Sequence, residues 1–126
     1  LLRAAVAMQR ARDEGNNLPY MLETAASSAI RRGEYRRAAA LARESVAIFA
    51  ARYDATHVGH VASEDVLAHA LLLQGLRDSA GAVAARLTAH SRAAGRRDHA
   101  PLRVAASLAA YDGRWAEADT LLGELV

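Results

Sequence analysis

The chain has no cysteine and no lysine, and it is poor in proline (two), phenylalanine (one) and tryptophan (one). Without cysteine there is no disulfide framework, no iron–sulfur or cysteine-rich zinc site and no thiol nucleophile. Two prolines and eight glycines among 126 residues exclude a collagen-like or proline-rich disordered chain. No apolar run approaches the length of a membrane span, so no membrane association is expected. No charged-then-apolar leader opens the sequence, and a cytoplasmic location is the expectation.

What is present is mostly alanine, leucine, arginine and glutamate. Apolar residues make up 52% of the chain, and 32 alanines are about half of them. Large core-forming side chains are therefore scarce, and an interior must come from leucines together with closely packed alanine-bearing backbones. All 16 basic residues are arginine, against 14 acids, for a net charge of +2. That charge is too small for whole-protein capture of nucleic acid, although a pI near 9.5 leaves a local basic patch open. Arginine without lysine beside so much alanine fits a high-GC coding sequence and hence a bacterial source.

The composition favours helix almost everywhere. Breakers lie at Gly15-Asn16-Asn17 with Pro19, at Arg32-Gly33, from about Arg52 to Ser63, at Gln74-Gly75, from Gly95 to Pro101 and at Asp112-Gly113. Between them the sequence predicts helices at roughly 2–13, 19–32, 34–52, 64–74, 77–93, 100–111 and 114–125. Ser63 followed by Glu64 and Asp65 reads as a capped helix start.

Three of these breaks share a pattern. Gly33-Glu34-Tyr35-Arg36-Arg37-Ala38, Gly75-Leu76-Arg77-Asp78-Ser79-Ala80 and Gly113-Arg114-Trp115-Ala116-Glu117-Ala118 each place Ala five residues after Gly. Ala26, Ala68 and Ala106 stand seven residues before each Gly. Gly permits a sharp reversal between antiparallel helices, and small residues let those helices approach closely. Such hairpins bury their apolar faces by stacking. The pattern Gly, aromatic two residues on, Ala five residues on resembles the tetratricopeptide repeat (TPR) family. Gly33/Tyr35/Ala38 and Gly113/Trp115/Ala118 match; in the middle copy Arg77 replaces the aromatic. The steps of 42 and 38 residues exceed the family's usual 34. Most similar are the divergent Ala/Arg-rich TPR tracts of large bacterial regulators with an ATPase or LuxR-type DNA-binding end.

The resemblance implies an all-α, right-handed α-solenoid of about three antiparallel helix pairs with a leading N-terminal helix. The whole of 1–126 would be one domain, with repeats at about 18–52, 63–93 and 99–126. In that register Leu22, Ala26, Tyr35, Ala38, Leu67, Ala68, Leu71, Ala80, Ala106, Trp115, Ala118 and Leu122 are core. A buried Trp115 would make Trp115→Ala cost about 3–5 kcal/mol. The first helix of each pair lines a groove in this family. The matching positions are Tyr20, Glu23, Ser27, Ile30 and Arg31, then Asp65, His69, Leu72 and Leu73, then Arg103, Ser107 and Tyr111. For Ile30, Leu72 and Leu73, packing against neighbouring helices is an equal alternative. The Lys/Asn clamp that some members use for C-terminal carboxylates is absent.

Chemistry-bearing motifs are few. There is no phosphate-binding loop, no dinucleotide fingerprint and no H-E-x-x-H. His57-x-x-His60 with Glu64 and His69 has metal-like spacing, but Gly59 interrupts it and the stretch reads as a polar connector. No metal or cofactor is expected. Serines, histidines and acids have no nucleophile-turn context, so no catalytic triad and no enzyme is expected. Arg31, Arg32, Arg36, Arg37 and Arg43 form a basic run interrupted by Glu34 and Glu44, with no aromatic for base stacking. A solvated helix exterior is its simpler reading.

The expected function is a protein–protein interaction scaffold or sensor segment of a larger cytoplasmic bacterial regulator. It would bind a protein or peptide in the groove and have no catalysis of its own. A basic nucleic-acid-binding module and a small-ligand sensor of a transcriptional regulator are the alternatives. The apolar stripe Leu121, Leu122, Leu125 and Val126 suggests a segment of a longer array, open at this edge to a homodimer partner.

Overall fold

The computed structural model describes residues 2–12, 17–54, 57–95 and 99–125, with the side chains of 9–12 excepted. Of the expected turn residues, Gly15, Asn16, Ala55 and positions 96–98 lie outside the described residues, as does Val126. The described chain is all-helical: α1 (Leu2–Arg12), α2 (Leu18–Arg31), α3 (Tyr35–Arg52), α4 (Val58–Leu73), α5 (Arg77–Ala94), α6 (His99–Tyr111) and α7 (Trp115–Gly123). No described helix is long and apolar enough to cross a membrane. Each helix packs on the next, and α4 also packs on both α2 and α6, so these three form a continuous row.

The three glycine breaks adopt one geometry. Gly33, Gly75 and Gly113 have φ of 77°, 79° and 78°, a region that side chains other than hydrogen disfavour. The N–H after each glycine donates five residues back: Glu34 to Ala29 at 2.9 Å, Leu76 to Leu71 at 3.0 Å and Arg114 to Ala109 at 2.8 Å. The glycine N–H donates three residues back in each case. This is the Schellman arrangement, which satisfies carbonyls left orphaned at a helix end. The flanking alanines then fall inside: Ala26, Ala68 and Ala106 before the turns and Ala38, Ala80 and Ala118 after them are all buried. Consecutive turns touch. Gln74 Nε2 donates to the Tyr35 carbonyl at 3.4 Å. Arg77 donates through Nε and Nη2 to the Asp112 carboxylate at 3.0 and 2.7 Å. With Arg77 first and Arg114 second donating to it, the Asp112 carboxyl is held down at about 2. The Arg at the middle copy's aromatic position thus bridges to the following turn.

Between these ends the core is Leu22, Leu67, Leu71, Val83, Leu87, Val104 and Leu108 set among buried alanines. A polar seam crosses it. Ser45 Oγ donates to the Pro19 carbonyl at 2.7 Å and lies 2.7 Å from Ser63 Oγ. The single Ser45 hydroxyl proton is committed to Pro19, so Ser63 donates to Ser45. The two hydroxyls tie α2, α3 and α4 together in the interior.

Several expectations are corrected here. The stretch up to Ser63 is not a long connector, because α4 begins at Val58. His57 is its N-cap, with ring Nδ1 accepting from the Gly59 N–H at 3.0 Å, the part an Asn or Asp side chain usually plays. Ser63 therefore sits in mid-helix and is fully buried. Gly59 does not break the helix. A Cβ there would overlap the Phe49 ring, so glycine is what lets the first turn of α4 close over α3. Trp115 is not core but 69% exposed, and Leu122 is 51% exposed. Among the described residues α7 packs only on α6, which covers the stripe bearing Ala118 and leaves the other faces open. Tyr35 is half-buried.

Two stability outcomes follow. Trp115→Ala should change unfolding free energy by no more than about 0.5 kcal/mol, as for an ordinary surface position, measured by urea denaturation. Gly59→Ala should destabilise by about 1–3 kcal/mol through overpacking against Phe49, with most of that loss removed in a Phe49→Leu background.

Candidate functional site

The row α2–α4–α6 carries all of the groove positions expected from the sequence. Near its middle is a depression of about 420 Å³ lined by Glu23 and Ser27 of α2, Val58, Val61, Ala62, Asp65 and Val66 of α4, and His99, Ala100 and Arg103 of α6. Four of the expected residues, Glu23, Ser27, Asp65 and Arg103, therefore meet in one place although they come from three helices. The apolar walls were not anticipated. Starting α4 at Val58 places Val58, Val61/Ala62, Asp65/Val66 and His69 three and four residues apart, on one helical face.

His69 and Ser107 join the same network. Arg103 Nη2 donates to Asp65 Oδ2 at 2.7 Å. His69 Nδ1 stands 2.9 Å from the Asp65 carbonyl oxygen and 3.1 Å from its Oδ1. His69 Nε2 lies 3.2 Å from Ser107 Oγ. Burial alone would raise the Asp65 carboxyl, but hydrogen bonds from His69 and then Arg103 outweigh it, and the carboxyl is lowered. The Asp65 hydrogen bond raises the His69 imidazole, against a smaller opposing effect of burial. Glu23 is raised, chiefly by burial and also by the charge of Asp65, with the Ser27 hydrogen bond offsetting part of this.

The order Ser107–His69–Asp65 matches that of a nucleophilic triad, yet its surroundings suit a clamp. Ser107 lies in the middle of α6, where the neighbouring N–H groups serve the helix rather than an oxyanion. The arrangement fastens α4 to α6 beneath the depression.

The other expected groove residues stand apart. Tyr20 is exposed and packs edge-to-face on Phe49, with centroids 5.0 Å apart. Arg31 is exposed at the end of α2. Tyr111 is exposed, with its hydroxyl near Gly75. Ile30 and Leu72 pack against the core, whereas Leu73 is 49% exposed. In the basic run, Arg37 Nε lies 4.0 Å from Glu34 Oε2, so part of its charge is locally answered.

The histidines with metal-like spacing are dispersed. His57 caps α4 and stacks on Tyr53 at 4.3 Å, and His69 faces α6. His60 and Glu64 instead point into the α4–α5 seam, where both are buried. There they meet His90, a residue outside the sequence cluster: His60 Nε2 and His90 Nδ1 each lie 3.5 Å from a Glu64 carboxylate oxygen. Arg86 Nε is also 3.5 Å from Glu64 Oε1.

The chain was compared with protein-family models, with curated proteins and with solved structures, and none of them matches it.

The two titrations fix the pH range of the clamp. The raised His69 contributes stability fully below its unfolded value of 6.5 and loses it as pH rises through the folded value. The lowered Asp65 contributes above 3.8 and loses it as pH falls through its folded value. Stabilisation is therefore greatest between those two unfolded values. His69→Gln should lower urea stability near pH 6 and flatten the decline expected of the parent as pH rises above 6.5; a parallel decline in both proteins would exclude the clamp as its source.

Proposed function

We propose that the chain is a non-catalytic protein-interaction module, a TPR-like right-handed α-solenoid of about three helix pairs with a leading helix. It takes a protein or peptide segment along the row α2–α4–α6. The observation that carries this reading is the meeting of Glu23, Ser27, Asp65 and Arg103 around one open, apolar-walled depression. A surface combining aliphatic walls with a few fixed polar groups suits a peptide. The repeat architecture is supported by the three glycine turns with a common hydrogen-bond pattern and by the contacts of α4 with α2 and α6.

Within the depression the two acids differ. Asp65 is already engaged by Arg103 and His69, whereas desolvation holds Glu23 in an unfavourable state when charged. A basic side chain or backbone N–H of a bound segment relieves that cost, so Glu23 is the polar anchor of the proposed site. The aliphatic part of the same segment lies on Val58, which is 69% exposed. A module of this kind fits a scaffold or sensor segment of a larger bacterial regulator, including one that controls transcription.

Selection of a displayed random-peptide library on the folded chain tests the reading. Enriched peptides should carry a basic residue beside apolar ones. Glu23→Gln and Val58→Asp should each weaken them about tenfold or more, the scale of one charge-assisted hydrogen bond. Peptides indifferent to both substitutions would remove the groove. Binding of nucleic acid with steep salt dependence, lost on Arg36→Glu/Arg37→Glu, would move the function to the basic run.

A further inference from the structure

The α4–α5 hairpin turns at Gly75, and residues equally distant from that glycine face one another. Leu67 and Val83 each stand eight residues away, Glu64 and Arg86 eleven, and His60 and His90 fifteen. Near the turn the seam is filled by apolar side chains, as helix packing requires. Further out it holds a buried carboxylate and a buried imidazole, Glu64 at 1% and His60 at 5% exposure, with the His90 imidazole partly exposed beside them. Burying such groups is unfavourable unless their polar atoms are satisfied. Here Glu64 Oε2 and His90 Nδ1, which face each other, have no hydrogen-bond partner.

The spacing of the three groups is also wrong for hydrogen bonds and right for something between them. Both imidazole–carboxylate separations are 3.5 Å, beyond the about 2.7–3.2 Å of a good N–H···O bond. Donors bound tetrahedrally at about 2.0–2.1 Å lie roughly 3.3–3.5 Å from one another. One donor atom from each of His60, Glu64 and His90 falls within 4.8 Å of the other two. His60 and Glu64 are four residues apart on one helix face, and His90 approaches from the facing helix, so the backbone of the hairpin fixes all three directions.

We infer that His60, Glu64 and His90 form a binding site for a divalent transition-metal ion of the Zn²⁺ class. Two neutral imidazoles and a carboxylate match the nitrogen and oxygen preferences of that ion, and water takes the fourth position. The partly exposed edge of His90 is the entry side. Arg86 balances Glu64 when no ion is bound. Its contact is long and its side chain half exposed, so the guanidinium swings into solvent as the ion enters. The metal then cross-links α4 to α5 behind the groove helix, and binding the folded state alone stabilises it in proportion to the logarithm of free ion.

The test is calorimetric and thermal titration of the chelator-treated full chain with Zn²⁺ alone, with Co²⁺ as a spectroscopic probe. One ion per chain is expected, with a rise in Tm that grows with Zn²⁺ and visible Co²⁺ bands of tetrahedral coordination. His90→Ala, at a partly exposed position and with its helix content checked by circular dichroism, should weaken binding by at least about 100-fold, more than the change of an outer residue. Arg86→Ala should tighten binding by removing the competing cation. If Zn²⁺ binds His90→Ala as well as it binds the parent, the ion sits on other histidines and the inference fails. It also fails if Arg86→Ala lowers Tm without any response to Zn²⁺, because the cluster is then an ion-pair network only.

Discussion

An interior built largely of alanine holds together only if its helices come close, and the rest of this molecule depends on that closeness. Alanine offers little apolar area, so the stabilisation must come from backbone-to-backbone proximity and dense dispersion contacts. Gly59 marks where this goes furthest: even one methyl group there would enter the Phe49 ring. The glycine turns serve the same end by reversing the chain within a few residues, which sets the small side chains of successive helices opposite each other.

Close helices leave no slack for polar side chains, and each one inside must be assigned a partner. The Ser45–Ser63–Pro19 chain is completely satisfied. The Asp65–His69–Arg103–Ser107 network is partly open to solvent and joins two members of the groove row. In the His60–Glu64–His90 cluster, buried polar atoms of all three side chains are left without a hydrogen-bond partner among the described residues. These three arrangements all involve α4, which makes that helix both the structural centre of the row and the carrier of its chemistry.

What could be read from the sequence follows from which physical rule acts locally. The glycine turns and their flanking alanines were legible because positive φ and tight approach are demands that few residues meet. The helix pairs followed from them. The start of α4 was not legible, since a histidine ring in the capping role is uncommon and Gly59 answers to Phe49, ten residues away in sequence. That misplaced start hid Val58, Val61 and Ala62 from the expected groove and made His60 look like part of a loop. Trp115 and Leu122 have the pattern of core residues, but burial depends on a neighbouring element, and among the described residues α7 has α6 alone. The approach of His90 to Glu64 depends on hairpin register. Counting outward from Gly75 would have revealed it.

The contact pattern also has a mechanical consequence. Backbone contacts reach no further than two elements along the described chain, so the helices are coupled in series. Tension applied along such an arrangement is not shared by a single interlocked core. It falls in turn on each pair interface, and elements detach singly, giving extension at a succession of modest forces. Contacts this local also reform quickly when the load is released, because little loop-closure entropy stands between the extended and folded chain.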